Sequence, residues 1–396
     1  IPATERKGAS LVAPRLVVRV KFAGFTSDGH LRAPVFSGVA GDKSPRDCTA
    51  APSEERLEEA AGPPTEEAGD GAEQGPAAGT SASSTSAQQR GLRPDLVITN
   101  RSKIFWASEG FSKGDLLDYY ARISGFMLPF LAGRPVVLVR YPDGVDGKNF
   151  YQWRAPEGTP AWIRTSELYD EEKQDERGTN KATFLIDDLS SLLYVINLGC
   201  IPLHVLASRE TSPTHCDFLT IDFDIGTRPF REAIQLALSL RRLLDELGLT
   251  GFPKTSGQRG LHVLIPLGPG QSFETAKLLC ELLGRLLVAK NADIATMERR
   301  KDKRGDKVYV DTGQTGRSRT IVAPLSARAF PGATVSTPLG WDEVHLALDP
   351  STFTIETVPV RLEEHGDPWA GWLDTRPDLP AALQRLARYT VPAHEG

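Results

Sequence analysis

The chain has few cysteines, no long apolar run and none of the common nucleotide-binding loops. Its four cysteines lie far apart in 396 residues and form no CxxC pair, so neither a disulfide framework nor a zinc ribbon is indicated. No stretch approaches the roughly 18 to 20 apolar residues of a membrane span, and the amino end lacks a charged-then-apolar signal pattern. These absences predict a soluble protein of the cytoplasm. The GxxxxGKS/T loop and the GxGxxG turn are also missing, which excludes the commonest phosphate-binding loops.

The composition is that of a globular protein, with 40% hydrophobic and 24% charged residues. The length allows at least one sizeable core and two domains. A formal charge of −5 disfavours a nucleic-acid partner at first sight. However, residues 53–73 contain eight acids and one base, and the remainder of the chain carries +2. The acidic balance therefore describes one segment rather than a binding surface.

That acidic segment belongs to a longer stretch, residues 44–93, built from Ala, Gly, Pro, Ser, Thr, Gln and Glu with almost no large apolar side chain. Such a stretch cannot bury enough surface to offset the entropy of ordering, so we predict a disordered linker. Before it, "LVVRVKFAGFTSDGHLRAPVFSGV" alternates apolar and polar residues and breaks at Ser27-Asp28-Gly29, which predicts a hairpin. Residues 1–43 are too few for a sheet domain. Because the chain opens on Ile1, we expect them to be the end of a domain that starts upstream.

The pattern after the linker is mixed α/β, and we expect one domain over residues 94–396. Helical spacing covers 113–128 and 188–198, with Ser112 and Asp187 as candidate N-caps. The later elements are a strand over 218–225, a helix between Pro229 and Gly248, a strand over 260–267, a helix over 273–290 and a strand over 307–312. This order predicts an α/β or α+β core.

Three aspartates are candidate metal ligands. Asp222 and Asp224 lie two apart in a predicted strand, so both project from one face. Adjacent carboxylates stay ionised at low cost only beside a cation, and an all-oxygen site selects a hard ion such as Mg²⁺ or Mn²⁺. The alternative is a pair of solvated or capping residues at a strand end. Asp311, at the end of another apolar strand, would complete a trio typical of two-metal phosphoryl transfer.

The segment "KTSGQRGLHVLIP" offers a matching anion site. Gly257 and Gly260 allow close approach of the backbone, Ser256 supplies a hydroxyl, Arg259 a cation, and His262 lies on the following strand. An ordinary glycine turn explains any one of these residues, but the group suits a triphosphate.

A run of basic residues surrounds Asp311. Between Arg299 and Arg328 the chain has nine bases and three acids, Asp311 among them. A solvated face is the alternative, but beside Asp311 these bases are better placed to neutralise phosphates of a nucleotide or a nucleic acid. His204, taken alone, is more typical of a structural histidine.

These motifs resemble a known family. The segments "LTIDFDIG", "KTSGQRGLHVLIPL" and "KVYVDTGQTGRSRTIVAPLSARAFPGATVSTPLGWDEV" are similar to the polymerase domain of bacterial DNA ligase D, of the archaeo-eukaryotic primase superfamily, which acts in non-homologous end joining. The resemblance covers about residues 96–348. It implies a primase-like catalytic core with a mixed sheet. Residues 1–43 resemble the end of the oligonucleotide-binding (OB) β-barrel of the ATP-dependent ligase domain.

The resemblance also implies roles for single positions. The metal-binding and catalytic positions are Asp222, Asp224 and Asp311. The nucleotide-pocket positions are His204, Ser256, Arg259, His262, Arg304, Gln314 and Arg328. Asn100, Lys103 and Lys113 match positions that bind the 5′-phosphate of a DNA end, and Phe150 and Tyr151 match base-stacking aromatics. Departures from the family pattern occur at Trp153, Val205 and Thr315.

The implied function is template-directed primer extension and gap filling with NTP or dNTP substrates, two Mg²⁺ or Mn²⁺ ions and a preference for ribonucleotides. The implied partners are 5′-phosphorylated DNA ends, the Ku protein and a ligase domain in the same polypeptide, in the bacterial cytoplasm at the nucleoid. Ligation by this chain is not expected, because it has no KxDG motif. Two other classes stay open. A DxD glycosyltransferase has no need of Asp311, and a catalytically idle DNA-end-binding module should have lost an aspartate.

Overall fold

The computed structural model describes residues 92–168 and 181–390 and the backbone of four short strands near the amino end. The chain divides into two units, residues 1–80 and 81–396, and each is described by itself. The predicted linker lies outside the described residues except for its last two positions.

The first unit contains four described strands: β1 (Val18–Lys21), β2 (Gly24–Phe25), β3 (Leu31–Arg32) and β4 (Val35–Val39). β1 pairs antiparallel with β4, and β2 pairs antiparallel with β3. This nested pairing confirms the hairpin, although Ser27-Asp28-Gly29 lie outside the described residues. The described strands form two-stranded sheets and close no barrel, so the OB assignment stays an expectation.

The described part of the second unit is mixed α/β, as the sequence predicts. Its strands are β5 (Ile104–Trp106), β6 (Phe111–Ser112), β7 (Pro135–Arg140), β8 (Phe150–Gln152), β9 (Thr165–Leu168), β10 (Lys181–Leu185), β11 (Cys200–Leu206), β12 (His215–Asp224), β13 (Phe252–Thr255), β14 (Leu261–Ser272), β15 (Ala295–Thr296), β16 (Val308–Asp311), β17 (Thr320–Val322), β18 (Ser326–Ala327) and β19 (Val335–Ser336). Its α-helices are α1 (Lys113–Leu131), α2 (Leu189–Asn197), α3 (Phe230–Leu247), α4 (Phe273–Lys290), α5 (Thr357–His365) and α6 (Leu379–Thr390).

Two larger sheets organise this unit. One has the order β17-β11-β7-β10-β9, with β8 paired to β7. The other has the order β13-β14-β12-β16-β15, in which β15 and β16 are parallel and the other pairs antiparallel. β12 is therefore the central strand of the second sheet. Of the described helices, none combines the length and the apolarity required to cross a membrane.

Local sequence signals explain several helix ends. α3 begins after Pro229 and ends at Gly248, whose φ of +72° is a conformation that glycine adopts without strain. α1 is capped by Ser112, as predicted, and the side chain of Asp115 completes a capping box. The cap of α2 was predicted one residue early: Asp188 is the N-cap. Asp187 is occupied elsewhere, because its carboxylate accepts hydrogen bonds from Gly133 and Arg164.

β12 carries the alternation on which the site depends. Ile221 and Phe223 are fully buried in the hydrophobic core. Asp222 and Asp224 project from the opposite face, because successive side chains of a strand alternate. α3 and α4 both pack against β12. The strand therefore holds two carboxylates on a rigid support.

Candidate active site

Four polar side chains form a row across neighbouring strands of the second sheet. Asp222 is the register partner of His262 on β14 and of Asp311 on β16. His262 is in turn the partner of Lys254 on β13. Residues in direct register share one face of a sheet. The structure thus brings Asp311 beside the Asp222–Asp224 pair, as the three-carboxylate hypothesis requires.

Direct contacts link this row. Nε2 of His262 lies 3.3 Å from Oδ1 of Asp222. Nζ of Lys254 lies 2.9 Å from Nδ1 of His262 and donates to Oγ of Ser336 at 2.6 Å. Burial, with the charge of Arg328, holds the pKa of Lys254 well below its usual value. Sequence reasoning assigned Lys254 no role. The available signal was a single charged residue in a four-residue strand directly before the Ser256 loop.

The three carboxylates already have polar partners. Asp311 accepts from the backbone N–H of Gly313 at 2.7 Å and from Nε2 of Gln314 at 3.0 Å. Asp224 pairs with Nη1 of Arg304 at 3.2 Å. In the described part of the chain, no three His, Cys, Asp or Glu side chains are arranged so that they could hold a metal ion as they stand.

The donor set nevertheless suits a hard cation. Burial, followed by the nearby charges of Asp311 and Asp224, raises the pKa of Asp222 to about 7. A carboxylate that is this costly to ionise, beside two others, is stabilised by a divalent ion with oxygen ligands. The side chains that would hold Mg²⁺ or Mn²⁺ are therefore Asp222, Asp224 and Asp311.

A cavity of about 620 Å³ opens beside Asp222 and Asp224. Six of the seven predicted nucleotide-pocket residues line it: His204, Ser256, Arg259, His262, Gln314 and Arg328. The seventh, Arg304, is not part of its wall and reaches it only through Asp224. Gln258, Thr320 and Phe330 also line the cavity; they lie within the motifs quoted above, but the sequence analysis assigned them no role.

The loop after β13 forms one wall of this cavity. Oγ of Ser256 accepts hydrogen bonds from the backbone N–H groups of Gln258 and Gly260 at 3.1 and 2.9 Å. Gly257 has a φ of +69°, and a Cβ there would lie 2.5 Å from Cγ of Arg328. The close packing of this loop on Arg328 therefore requires glycine.

Arg328 and His204 also line the cavity. Nε of Arg328 is buried without a hydrogen-bond partner among the described residues. Burial, with the charges of Arg328 and Lys254, lowers the pKa of His204 to about 3, so this imidazole is neutral. A buried guanidinium with an unused N–H favours an anion in the cavity.

The predicted 5′-phosphate residues also come together. The backbone N–H of Lys103 donates to the carbonyl of Asn100 at 3.1 Å, and that of Lys113 donates to the carbonyl of Lys103 at 2.7 Å. Nζ of Lys113 is largely buried and donates to the carbonyl of Thr99 and to Oδ1 of Asn197, both at 2.7 Å. Burial, with the charge of Lys103, lowers the pKa of Lys113. The ammonium retains one N–H for a ligand.

The predicted stacking residues lie on β8. Phe150 is 45% and Tyr151 59% exposed, and the Tyr151 ring lies 5.9 Å from His204 and lines the cavity. The exposed Tyr151 ring beside the cavity is available to stack on bases. Phe150 does not line the cavity, and the guanidinium of Arg140 lies 5.3 Å from its ring centroid.

Two departures from the family pattern have a structural explanation. Thr315 is buried, and its Oγ1 accepts from the backbone N–H of Thr220 at 3.0 Å. Val205 is fully buried in β11. Neither residue lines the nucleotide cavity. The structure gives no contact that explains Trp153.

A mixed sheet with three strand-borne aspartates beside a glycine-containing loop and a polar cavity is the arrangement typical of nucleotidyltransferases of the primase-polymerase class. Residues 112–369 match the LigD primase-polymerase domain, and the chain belongs to this family. It is a DNA-directed nucleotidyltransferase of the ligase D type, and the predicted fold class is confirmed.

Three relatives illustrate the relationship. The bifunctional non-homologous end joining protein LigD of Bacillus subtilis is 32% identical over 301 residues, which are 75% of this chain and 48% of that protein. The multifunctional LigD of Pseudomonas aeruginosa is 29% identical over 394 residues, 97% of this chain and 43% of that protein. The polymerase domain of Mycobacterium tuberculosis ligase D, solved in complex with DNA, superposes with a TM-score of 0.65 at 28% identity and covers 71% of this chain and 99% of that structure. The chain thus spans less than half the length of these two curated relatives.

Proposed function

We propose that this chain extends primers and fills gaps under the direction of a template, at DNA ends that carry a 5′-phosphate. The observation that carries the proposal is the register of Asp222 with Asp311 at the edge of a cavity lined by Ser256, Arg259 and Arg328. Carboxylates on one side and phosphate-binding groups on the other are what nucleotidyl transfer needs.

The cavity walls would bind the triphosphate of the incoming nucleotide. Arg259 is exposed and forms no ion pair among the described residues. Arg328 presents a guanidinium whose Nε is unpaired within the same part of the chain. Phosphate oxygens would satisfy both through charge-assisted hydrogen bonds. His204 and His262, with pKa values lowered by burial, would contact the nucleotide as neutral side chains.

Asp222, Asp224 and Asp311 would hold two Mg²⁺ or Mn²⁺ ions. Such ions, when bound, neutralise developing charge and activate the attacking hydroxyl. The residues themselves keep the site fixed: Asp222 and Asp311 are held by their strand pairing, and Lys254 holds His262 against Asp222. A preference for ribonucleotides is proposed on the family relationship.

Two further groups of residues, the predicted 5′-phosphate residues and the predicted stacking aromatics, would contact the DNA. Asn100, Lys103 and Lys113 would bind the 5′-phosphate, and Phe150 and Tyr151 would stack on template bases. Because the relatives are longer end-joining proteins, we place this activity in non-homologous end joining in the bacterial cytoplasm, at the nucleoid. Ku and a ligase domain in the same polypeptide are the proposed partners.

Primer extension on a gapped duplex with a 5′-phosphate tests this function. We expect addition of the complementary nucleotide in Mg²⁺ or Mn²⁺, faster with ribonucleotides than with deoxyribonucleotides. The matched control is the same gap with a 5′-hydroxyl. Addition that ignores the template base, or hydrolysis of sugar nucleotides without extension, would contradict the proposal, and the second outcome would favour the DxD glycosyltransferase class.

A further inference from the structure

Lys254 is a fully buried lysine in contact with His262, one of the residues that line the nucleotide cavity. Lys254 itself is not part of the cavity wall. Burial of an ammonium group is costly unless its N–H groups find partners. Because Lys254 does not reach the cavity, any influence that it has on a bound nucleotide passes through the side chains that it contacts.

The hydrogen bonds around Lys254 fix which atom donates in each. The hydroxyl of Ser336 gives its single hydrogen to the carbonyl of Thr255 at 2.9 Å, so its oxygen accepts from Nζ of Lys254 at 2.6 Å. A lysine ammonium has three N–H donors and no acceptor. A second N–H of Lys254 is therefore directed at Nδ1 of His262, 2.9 Å away. As the acceptor of this bond, Nδ1 carries no proton.

The other ring nitrogen of His262 faces a carboxylate. Its Nε2 lies 3.3 Å from Oδ1 of Asp222, and an ionised carboxylate only accepts hydrogen bonds. Burial, with the charges of Lys254 and Arg328, holds the pKa of His262 well below its usual value, so the ring has a single proton. A lysine donor on one side and a carboxylate acceptor on the other both place that proton on Nε2.

Building on the polymerase function proposed above, we propose that Lys254 is a positioning residue that sets the tautomer of His262, with the proton on Nε2, so that this imidazole is a hydrogen-bond donor at the nucleotide cavity. His262 and the carboxylate that its Nε2 faces both line the cavity. With the proton on Nδ1 instead, the lone pair of Nε2 would face Asp222 and any phosphate oxygen beside it, and these would repel. The register that pairs Lys254 with His262 across β13 and β14 keeps the donor in place.

Nitrogen NMR of the full chain, labelled with ¹⁵N in its histidine rings, reads the tautomer directly. The chain has seven histidines, and the His262 signals are those missing from His262→Gln. At a pH above the pKa of Asp222, about 7, we expect a protonated Nε2 and a bare Nδ1 whose resonance is shifted by an accepted hydrogen bond. A proton on Nδ1, protons on both nitrogens, or a bare Nδ1 without a hydrogen bond would each overturn the proposal, and this reading needs no folded variant.

Lys254→Met removes the donor and keeps an unbranched side chain. We expect its spectrum to lose the hydrogen-bond shift of Nδ1 and to show both tautomers of His262. A Lys254→Met spectrum with the parental tautomer would mean that Lys254 does not set it.

The KM for the nucleotide measures the consequence in primer extension. Lys254→Met should raise this KM by about ten- to hundredfold, the usual range for a lost hydrogen bond to a charged group. It should lower kcat by less, because a contact made equally in the bound nucleotide and in the transition state contributes uniform binding.

Thr255→Val is the matched control. Thr255 is the next residue on β13 and is also fully buried, but its hydroxyl bonds to the backbone of Val335 and Thr337. This variant should keep the parental spectrum and KM. An equal rise in KM for both variants would assign Lys254 to packing alone, and an unchanged KM in Lys254→Met would also overturn the proposal. Because the spectrum is read without catalysis, failure of the proposed polymerase activity would show separately, as an absence of extension by the parent.

Discussion

Asn197 holds the loop that carries the predicted 5′-phosphate residues. Its Oδ1 accepts hydrogen bonds from the backbone N–H of Thr99 at 2.9 Å and from Nζ of Lys113 at 2.7 Å. Its Nδ2 donates to the carbonyl of Val97 at 2.9 Å. Lys113 is thus fixed in position rather than free to move in solvent. This is the arrangement expected of a cation that recognises a particular phosphate.

Replacement of Lys113 tests this recognition. Charge-assisted hydrogen bonds to a terminal phosphate are worth roughly 1.5 to 3 kcal/mol. We therefore expect Lys113→Ala to weaken binding of a 5′-phosphorylated gap by about ten- to hundredfold and to leave binding of the 5′-hydroxyl gap nearly unchanged. The measurement is a pair of dissociation constants at one salt concentration.

The exposed Lys148 provides a control for loss of one positive charge. Lys148→Ala should have a small, equal effect on both gaps. If Lys113→Ala also weakens both gaps equally, Lys113 does not bind the phosphate, and the polymerase assignment is unaffected.

Single residues also mark the limit of prediction from sequence. The DxD pair and Asp311 were identified from strand alternation and carboxylate chemistry. Lys254 and Asn197 were not identified, because each contacts partners that only the fold brings together. Lys254 contacts His262 and Ser336. Asn197 bonds to Thr99, which lies 98 residues away in sequence. No local pattern encodes such contacts.

At the scale of elements, one buried ion pair joins the two large sheets. Arg134 directly precedes β7, and Asp217 lies on β12. The guanidinium is fully buried and contacts Asp217 at 2.6 and 2.7 Å. Its carbon also lies 5.0 Å from the rings of Phe130 and Phe218. Since the two strands belong to different sheets, the pair fixes their relative position.

Removal of Asp217 should be strongly destabilising. Asp217→Ala leaves the Arg134 charge buried with only Arg209 and carbonyl groups nearby, and such losses typically cost about 3 to 5 kcal/mol. The control is Asp118→Ala, which breaks an exposed pair with Arg101 and should cost about 0 to 1 kcal/mol. Denaturant unfolding measures both. Equal costs for the two variants would show that the buried pair does not join the sheets.

The same pair predicts a pH dependence. Burial alone would raise the pKa of Asp217, but Arg134 and Arg209 outweigh it and hold this pKa below its usual value. The stabilisation is therefore present above the unfolded value near 3.9 and is lost as the pH falls through the lower folded pKa. Asp217→Asn should weaken this acid dependence.

Long, strongly periodic elements were predictable, and short ones were not. The bounds of α3 and α4 follow from Pro229, Gly248 and the apolar spacing of the helices. The strands β5, β6, β15, β18 and β19 have two or three residues each, too few to show an alternation. The register that aligns Asp222 with Asp311 depends on strand pairing far apart in sequence, which periodicity does not encode.

At the scale of the whole molecule, the predicted linker over 44–93 precedes the predicted polymerase domain. Because that composition cannot form a core, a chain that begins at Leu92 should fold and extend primers unaided. Limited proteolysis of the full chain should cut first within 44–93. Mass spectrometry of the early fragments checks this. Early cleavage within 218–266, or an insoluble truncated chain, would contradict the domain boundaries.

The central claim is that the strand-borne aspartates perform the nucleotidyl transfer, and single-turnover addition by Asp222→Asn tests it most directly. Loss of one charged ligand from a shared site should lower the rate by orders of magnitude in Mg²⁺ or Mn²⁺. The gapped-duplex Kd should change little, because the residues proposed to bind the DNA, Lys103 and Lys113 among them, lie elsewhere in the chain. Asp118→Asn, an exposed aspartate on α1, should behave like the parent. Extension by Asp222→Asn at near the parental rate would contradict the account.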